Sequence, residues 1–414
     1  MASVTHVLDK NNYASHHLVT LPNSSKPLAP SSLRLKTKII GLTTNNLSYA
    51  RMGHLVGWWD TYPLPADGIP EPYNDKSKYG RISAWGWAEV VESTAPGIEV
   101  GASLYGYLNI STEEWTVQIE QTGIKDQILV VDPYRQHLWK IYNRYAVVHA
   151  SLAELEKSEG KDSLGWDGLA WPLYTTSYSM NVYSFAWKDE NRVHPSGDEA
   201  GKWTAEDANL DDAAVVVLNA SGKTGMAWAY TLRNDRPKEH QPKAIIGVGS
   251  EASKGLIESS GFYDKVLLNS EAEAFVKDPV VSQARRVVLF EFGARPGALK
   301  AWIIALSSAG IAFTIIGLGG EVKAVSQAEV MKMLTQKPSG WIQGNANVMR
   351  EKGIAVEGEK YFEQFNTAWA QFKAKGGIPG LHLEWHEGLE EWEKGWDALC
   401  KDKVPATTGL VYKL

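Results

Sequence analysis

The stretch from residue 213 to residue 268 constrains the fold of this chain more than any other. An apolar run, Ala213–Leu218, is followed by a turn of small residues and then by a segment with helical patterning. A second apolar run, 244–248, leads through another helical segment to a third, Lys265–Leu268. Apolar, largely β-branched runs that alternate with helices indicate parallel strands buried on both faces. The pattern predicts an α/β domain with a doubly wound parallel sheet.

The turn after the first strand, residues 219–225, is where such a sheet would bind a dinucleotide. Its sequence, Asn-Ala-Ser-Gly-Lys-Thr-Gly, leaves room for a pyrophosphate to approach the backbone. Ala220 occupies the first position of Gly-x-Gly-x-x-Gly, so a plain strand-to-helix connection is the alternative. A Walker-type loop is excluded, because Val217 stands where its upstream glycine is required. The candidate cofactor contacts in this turn are Ala220, Ser221, Gly222, Lys223 and Thr224.

The end of the second strand indicates which nucleotide would bind. An NAD site usually carries Asp or Glu there, to accept hydrogen bonds from ribose hydroxyls. Here Ser250 and Lys254 suit a 2′-phosphate, through a hydroxyl and a positive charge. Glu251 favours NAD(H), and Ser250 alone is equally well explained as a helix N-cap. We interpret the pattern as favouring NADP(H).

Two further strand-like runs, 286–291 and 311–316, continue the alternation and end in glycine-containing turns. Glycines at the carboxyl ends of parallel strands let a ligand approach the backbone. Contact with nicotinamide and its ribose is predicted there, and ordinary turn glycines are the alternative. The candidates are Phe292, Gly293, Gly317 and Gly319.

Composition excludes several classes of protein. At 414 residues, with 44% hydrophobic and 22% charged residues, the chain suits a globular protein of two domains. The net charge of −6 and the lack of a basic block argue against nucleic acid as a partner. The single cysteine, Cys400, excludes intrachain disulfides and fits a reducing compartment. Without a signal-peptide core or an apolar run of membrane-spanning length, a cytoplasmic location is expected.

The segments on either side of the α/β core carry other patterns. Residues 1–30 suggest an arm, or a strand with a Pro/Ser linker, and residues 45–79 suggest a long aromatic loop. Residues 134–155 and 169–187 are predicted as long helices, as are 360–373 and 389–400, with a closing strand at 409–414. Short strand-like runs separated by turn signals predict an antiparallel barrel or sandwich in the first part. These runs are 35–42, 84–92, 103–108, 115–119 and 128–131.

Several motifs resemble the medium-chain dehydrogenase/reductase superfamily, in particular its zinc-free, quinone-oxidoreductase-like branch. The barrel phrase Gly-Trp-Ala-Glu-Val-Val at 86–91, the turn at 96–106 and the closing Gly-Leu-Val-Tyr at 409–412 resemble its elements. Four further phrases resemble the uncharacterised family DUF2855: Asn-Asn-Leu-Ser-Tyr-Ala at 45–50, Trp-Trp at 58–59, Tyr-Asn-Arg-Tyr at 142–145 and Pro-Leu-Tyr-Thr-Thr-Ser at 172–177.

The resemblance implies a GroES-like antiparallel β-barrel domain and a Rossmann-type doubly wound sheet. It places the GroES-like catalytic domain at residues 1–165 and 378–414, and the nucleotide-binding domain at 166–377. Zinc-dependent members need a Cys/His/acid ligand set, and one cysteine does not supply it, so no metal is expected. A homodimer joined through the sheet edge near 312–316 is implied, and a monomer is the alternative if residues 323–352 cover that edge.

The resemblance also suggests residues for the chemistry. Thr175 and Thr176 are similar to a helix-borne Thr near nicotinamide, although a hydroxyl bond to the preceding helical turn is the alternative. Tyr49 is the first candidate donor to a substrate carbonyl or enolate, since a phenol donates without being charged, and Tyr142 competes with it. Asn46, Trp58, Trp59, Tyr62 and Trp85 are predicted to line an apolar substrate pocket. The equal alternative is that they belong to the core of the barrel.

Three functional hypotheses follow. The first is an NADPH-dependent, zinc-free reductase that transfers hydride to an enone, quinone or carbonyl of a bulky apolar small molecule, for example a secondary metabolite. The second is a non-redox isomerase, lyase or decarboxylase on the same fold, with the nucleotide absent or structural. The third is a non-enzymatic binding module. No nucleic acid or membrane is expected as a partner.

Overall fold

The computed structural model describes residues 2–22, 27–320 and 323–414. The chain divides into two compact units. The first unit comprises residues 1–169, 323–335 and 382–414, and the second comprises residues 170–322 and 336–381. The segment 323–335, which the sequence analysis placed with the nucleotide-binding domain, therefore belongs to the first unit. Part of the expected N-terminal linker, residues 23–26, lies outside the described residues.

Most of the strands belong to the first unit. In chain order, strands β1 to β17 of the described residues are Ser3–Asp9, His16–Leu21, Ser32–Leu42, Tyr79–Gly80, Ser83–Ser93, Ser103–Asn109, Glu114–Gln121, Gln127–Val130, Arg144–Val148, Ala213–Leu218, Ala244–Gly249, Lys265–Leu268, Arg286–Glu291, Phe313–Gly317, Trp341–Gln343, His382–Glu387 and Thr408–Lys413.

The helices are concentrated in the second unit and at the end of the chain. In chain order, helices α1 to α14 of the described residues are Thr44–Val56, Lys140–Asn143, Leu152–Glu159, Lys161–Ser179, Ala205–Ala208, Lys223–Asn234, Glu251–Ser260, Ala272–Phe275, Pro279–Gln283, Ala298–Ser308, Gln327–Thr335, Ala346–Glu357, Glu359–Ala374 and Leu389–Cys400. None of the described helices is both long and apolar enough to cross a membrane.

The first unit is built on a closed barrel. Strands run in the order β3-β5-β6-β9-β8-β7, and an additional pairing between β3 and β7 closes the ring. Along β7 the side chains of Trp115, Val117 and Ile119 are buried and alternate with exposed ones, as a strand with one face on a core requires. Strands β17 and β16 extend the sheet from β3. The predicted GroES-like antiparallel barrel is confirmed.

The second unit contains a six-stranded parallel sheet in the order β12-β11-β10-β13-β14-β15. All residues of β10 and β11 are buried, which explains why both runs are apolar or glycine throughout. When these strands are numbered along the chain from β10 as the first to β15 as the sixth, their order across the sheet is 3-2-1-4-5-6. This is the strand order of a Rossmann-type sheet. The predicted doubly wound sheet is confirmed.

Two predictions of local structure are wrong. Residues 134–155 do not form one helix, because β9 lies within them and pairs with β6 and β8 to complete the barrel. Residues 45–79 do not form one long loop, because α1 begins there. Thr43 caps this helix in a capping box with Asn46, and Gly57 ends it in a left-handed conformation, with φ of 82°.

Strand β14 is not the edge of the parallel sheet. The short strand β15 pairs with it, with Ile315 opposite Trp341, and so occupies the edge through which a homodimer was expected to form. Coverage of this edge by a segment of residues 323–352, which was the stated alternative, is therefore observed. The strand itself was not predicted, because three residues are too few for a periodic signal. The homodimer stays a prediction, and it now requires a surface other than β14.

Candidate functional site

The turn after β10 has its left-handed residue at Asn219, not at Ala220. Asn219 has φ of 58°, a conformation that Asn tolerates better than other non-glycine residues. Ala220 is fully buried, and its carbonyl accepts a hydrogen bond from the Tyr263 hydroxyl at 3.0 Å. Asn219 therefore takes the left-handed conformation of this turn, one residue before Ala220, which occupies the first glycine position of the fingerprint. This signal was present in the sequence and was missed.

The two glycines of the turn are required by close packing. A Cβ atom at Gly222 would lie 3.0 Å from Asn219 Nδ2, and one at Gly225 would lie 3.0 Å from the Asn219 carbonyl oxygen. The Gly222 N–H donates to that carbonyl at 2.9 Å. Ser221 and Thr224 are only partly buried. The turn is thus tight and free of large side chains, which is the geometry a pyrophosphate needs.

Lys223 is the first residue of α6 and is partly buried. Desolvation lowers the pKa of its ammonium group to about 8. The group is therefore mainly protonated at pH 7 and can attract a phosphate from the beginning of the helix. Its titration lies close enough to neutrality to be measurable.

At the end of β11 the side chains support helix α7. The Ser250 N–H donates to Ser253 Oγ at 3.1 Å, and the two hydroxyls lie 3.2 Å apart, in a capping box. The helix-capping role that was the alternative for Ser250 is therefore observed. Lys254 Nζ lies 3.9 Å from Glu258 Oε1, in a partly exposed pair that contributes little to stability. Contact of either residue with a 2′-phosphate stays a prediction.

The loops after β13 and β14 approach each other closely. Gly293 has φ of 88°, and a Cβ atom there would overlap the carbonyl oxygen of Gly320. Gly319 also has a positive φ, 96°. The Phe292 carbonyl accepts a hydrogen bond from Asn219 Nδ2 at 2.9 Å, which connects this loop to the turn after β10. Close packing, positive φ and a backbone hydrogen bond therefore account for Gly293, Gly319 and Phe292. Their contact with a nucleotide stays a prediction.

Two sets of contacts that the sequence analysis did not predict shape this edge, those around Gly317 and those of Glu291. Trp341 lies against Gly317, where any Cβ atom would overlap its ring. The Gly317 carbonyl accepts hydrogen bonds from Gln343 Nε2 at 3.0 Å and from the Gly344 N–H at 2.9 Å. The carboxylate of Glu291 is buried and accepts from the N–H groups of Gly293, at 2.9 Å, and Ala294. Neither role has a local sequence signal.

The two threonines of α4 donate to their own helix. Thr175 Oγ1 donates to the Trp171 carbonyl at 2.8 Å, and Thr176 Oγ1 donates to the Pro172 carbonyl at 3.0 Å. The back-bonding alternative is therefore observed for both threonines. The oxygen of either hydroxyl can still accept a hydrogen bond, so a role near nicotinamide stays a prediction.

In the first unit, Tyr49 and Tyr142 belong to an aromatic cluster that also contains Trp58, Trp85 and Tyr107. The ring of Tyr107 lies 5.0 Å from that of Tyr49 and 4.9 Å from that of Tyr142, between centroids. Tyr49 Oη accepts from Trp85 Nε1 at 2.8 Å. Burial raises the pKa of the Tyr49 and Tyr142 phenols above the ordinary value of tyrosine, so both groups are neutral donors.

The predicted pocket residues are largely buried against neighbouring groups. Asn46 accepts from the Thr43 N–H at 2.9 Å and donates to the Ser83 carbonyl at 3.1 Å. Trp59 is packed against Gly53, and Tyr62 donates to the Tyr107 carbonyl at 2.9 Å. Core packing therefore accounts for these side chains. A substrate-binding role for them and for Trp58 and Trp85 stays a prediction.

Tyr62 also borders a cavity of about 260 Å³ on the first unit. The lining of this cavity mixes charged, polar and aromatic side chains. Its lining includes Arg34, Arg81, Asn109, Glu113, Glu114 and Trp115. In the described part of the chain, no cluster of three or more His, Cys, Asp or Glu side chains is arranged to hold a metal ion.

Several solved structures have a similar fold. CurK enoyl reductase matches with 11% identity over 100% of this chain and 99% of its own, at a TM-score of 0.52. CurA in complex with NADPH from Vibrio vulnificus matches with 16% identity over 99% and 98%, at 0.50. A mutant form of enoyl thioester reductase from Candida tropicalis matches with 9% identity over 100% of both chains, at 0.55.

These matches confirm the predicted fold, an antiparallel barrel with a Rossmann-type parallel sheet. No curated protein sequence matches the chain. The family model described as "Protein of unknown function (DUF2855)" matches residues 40–405, as the motifs at 45–50, 58–59, 142–145 and 172–177 suggested. With most of its length covered by this match, the chain belongs to the DUF2855 family.

Proposed function

We propose that this protein is an NADPH-dependent, zinc-independent reductase. It reduces an activated double bond, a quinone or a carbonyl of a bulky apolar small molecule. The observation that carries the proposal is the tight turn 219–225 at the carboxyl end of β10, where the strand order of the parallel sheet reverses. A dinucleotide binds at this point of a Rossmann-type sheet. The likeness to CurA in complex with NADPH supports the choice of cofactor.

The residues of the second unit fit a dinucleotide. Gly222 and Gly225 keep the turn free of side chains, and α6 begins directly after it with Lys223. Ser250 and Lys254 follow β11, where the adenosine ribose lies in this fold, and provide a hydroxyl and a cation for a 2′-phosphate. When bound, NADPH supplies the hydride, and no metal is needed to transfer it.

The first unit supplies the candidate proton donors. Reduction adds hydride to an electrophilic carbon of the substrate, and the negative charge that develops on oxygen must receive a hydrogen bond or a proton. Tyr49 is our first candidate because its phenol stays neutral, and because Trp85 Nε1 donates to its oxygen and so fixes the ring. Tyr142 is the second candidate. Thr176 and Thr175 are assigned to the nicotinamide carboxamide.

Titration with NADPH and with NADH tests the proposal, with Lys254→Ala measured alongside. We expect micromolar NADPH binding, and a loss of about tenfold in the variant, since a charge-assisted hydrogen bond at a partly exposed site contributes about 1.5 kcal/mol. NADH affinity should not change. Binding is followed by nicotinamide fluorescence and tryptophan quenching.

Lys243→Ala is the matched control, because Lys243 lies at the opposite end of β11 and pairs with Asp212 at 3.5 Å. Its NADPH affinity should equal that of the wild type. Failure of the wild type to bind either nucleotide at millimolar concentration would overturn the proposed function. With binding established, turnover of a panel of enones and quinones then tests the reaction.

The affinity for NADPH should also depend on pH through Lys223. With a pKa of about 8, the ammonium is mostly present at pH 7 and mostly lost at pH 9. Since a bound phosphate favours the charged form, the affinity should fall about tenfold between these pH values. Lys223→Met should bind more weakly at pH 7 and show a flat profile. A wild-type profile as flat as that of the variant would contradict this role.

A further inference from the structure

We propose that the Asn219 side chain is a clasp across the nucleotide crevice, and that NADPH must open it to bind fully. The inference rests on the proposed function, because it assumes that the crevice takes a dinucleotide. In this sheet the crevice lies between the carboxyl ends of β10 and β13. Asn219 directly follows β10 and Phe292 directly follows β13. The hydrogen bond from Asn219 Nδ2 to the Phe292 carbonyl, at 2.9 Å, spans that gap.

The backbone beneath the clasp is fixed. The Ala220 N–H donates to the Val248 carbonyl at 2.9 Å, and the Asn219 carbonyl accepts from the Gly222 N–H. On the side of the turn remote from Phe292, the Tyr263 hydroxyl contacts the carbonyls of Ala220 and Gly225, at 3.0 and 2.9 Å. The side-chain amide of Asn219 can therefore move without breaking these backbone hydrogen bonds.

The opposite side of the crevice is also tied down. Glu291 accepts from the N–H groups of Gly293 and Ala294, so the loop after β13 folds back on its own carboxylate. Leu218 and Glu291 are register partners at the ends of their strands, which fixes the distance between the two loops. A ligand entering this gap meets the amide of Asn219 before it can reach the backbone of either loop.

Glycine at position 219 removes the clasp and keeps the turn. The φ of 58° is strained for most side chains but not for glycine, so Asn219→Gly preserves the backbone conformation, whereas Asn219→Ala would not. The clasp is one neutral hydrogen bond, and its loss should tighten NADPH binding about three- to tenfold. Tyr263→Phe is the matched control, because it loosens the same turn from the side away from the crevice.

The test measures NADPH affinity by fluorescence and the melting temperature without nucleotide, for the wild type and both variants. We expect Asn219→Gly to bind NADPH more tightly even though it melts at a lower temperature. Tyr263→Phe should also melt at a lower temperature but should not gain affinity. A gain in NADPH affinity for Asn219→Gly alone indicates a clasp. General loosening of the turn would instead change the NADPH affinity of both variants in the same direction.

The outcomes also separate the clasp from the proposed function. Equal or weaker NADPH binding by Asn219→Gly, with measurable binding by the wild type, overturns the clasp and leaves the reductase proposal standing. An equal gain in NADPH affinity for Tyr263→Phe also overturns the clasp. No binding by any of the three proteins overturns both the clasp and the proposed function.

Discussion

Replacing Arg135 with methionine is expected to destabilise the first unit by about 3–5 kcal/mol. The side chain is fully buried. Its guanidinium donates to Asn143 Oδ1 at 2.7 Å, to Tyr62 Oη at 2.9 Å and to the Tyr142 carbonyl at 2.7 Å. Each buried acceptor left without a partner costs about 1–3 kcal/mol. Methionine has a similar length, so the loss isolates the hydrogen bonds and the charge.

Arg135 also holds aromatic groups of the barrel. Its guanidinium carbon lies 5.0 Å from the ring centroid of Tyr62 and 5.8 Å from that of Tyr145. The Tyr62 and Tyr145 hydroxyls lie 2.7 Å apart, and both donate to the Tyr107 carbonyl. Through Tyr107 and Tyr142 this network reaches the aromatic cluster around Tyr49. Loss of Arg135 should therefore disturb the candidate proton donors as well as the stability.

Chemical denaturation followed by near-ultraviolet circular dichroism checks this prediction, because the signal reports on packed tyrosines and tryptophans. Arg285→Met is the control. Arg285 is exposed and pairs only at the surface with Glu206, so its replacement should change the free energy of unfolding by less than about 0.5 kcal/mol. Equal midpoints for Arg135→Met and the wild type would show that the network contributes no net stability.

The fold of the second unit could be predicted from sequence because its signals are local. Each central strand is buried on both faces, so Ala213–Leu218 is an unbroken apolar run. The turn 219–225 follows directly, and its small residues are visible in sequence. Even the left-handed Asn219 had a signal, since Asn next to small residues favours that conformation. At this edge the sequence predicted a tight turn of small residues, but not the contacts that these residues make.

The remaining features depend on residues that are distant in sequence. Strand β9 was predicted as part of a helix over residues 134–155, and only its pairing with β6 and β8 shows it to be a strand. Gly317 was interpreted as a nucleotide contact, but the ring of Trp341 already requires glycine there. Since no periodic pattern encodes such a contact, sequence could not separate packing from ligand binding.

Replacing Gly293 with alanine is expected to lower both the stability of the second unit and its affinity for NADPH. Alanine at this position would adopt a φ of 88° and would overlap the Gly320 carbonyl, so the loops after β13 and β14 would have to move apart. The left-handed backbone costs about 1–2 kcal/mol, and the displaced loops add about 1–3 kcal/mol. We expect Gly293→Ala to lose about 2–5 kcal/mol of stability and more than tenfold in NADPH affinity.

Gly297→Ala is a close control, because Gly297 has φ of 85° but no atom lies within 4 Å of the added Cβ. It carries the same backbone strain without the overlap, so it should lose about 1–2 kcal/mol and keep its affinity for NADPH. Thermal unfolding and fluorescence titration of both variants therefore separate strain from loop displacement. If the two variants bind NADPH equally well, the close approach of Gly293 to Gly320 supports the fold alone, and the nicotinamide end of the crevice must be sought in other residues.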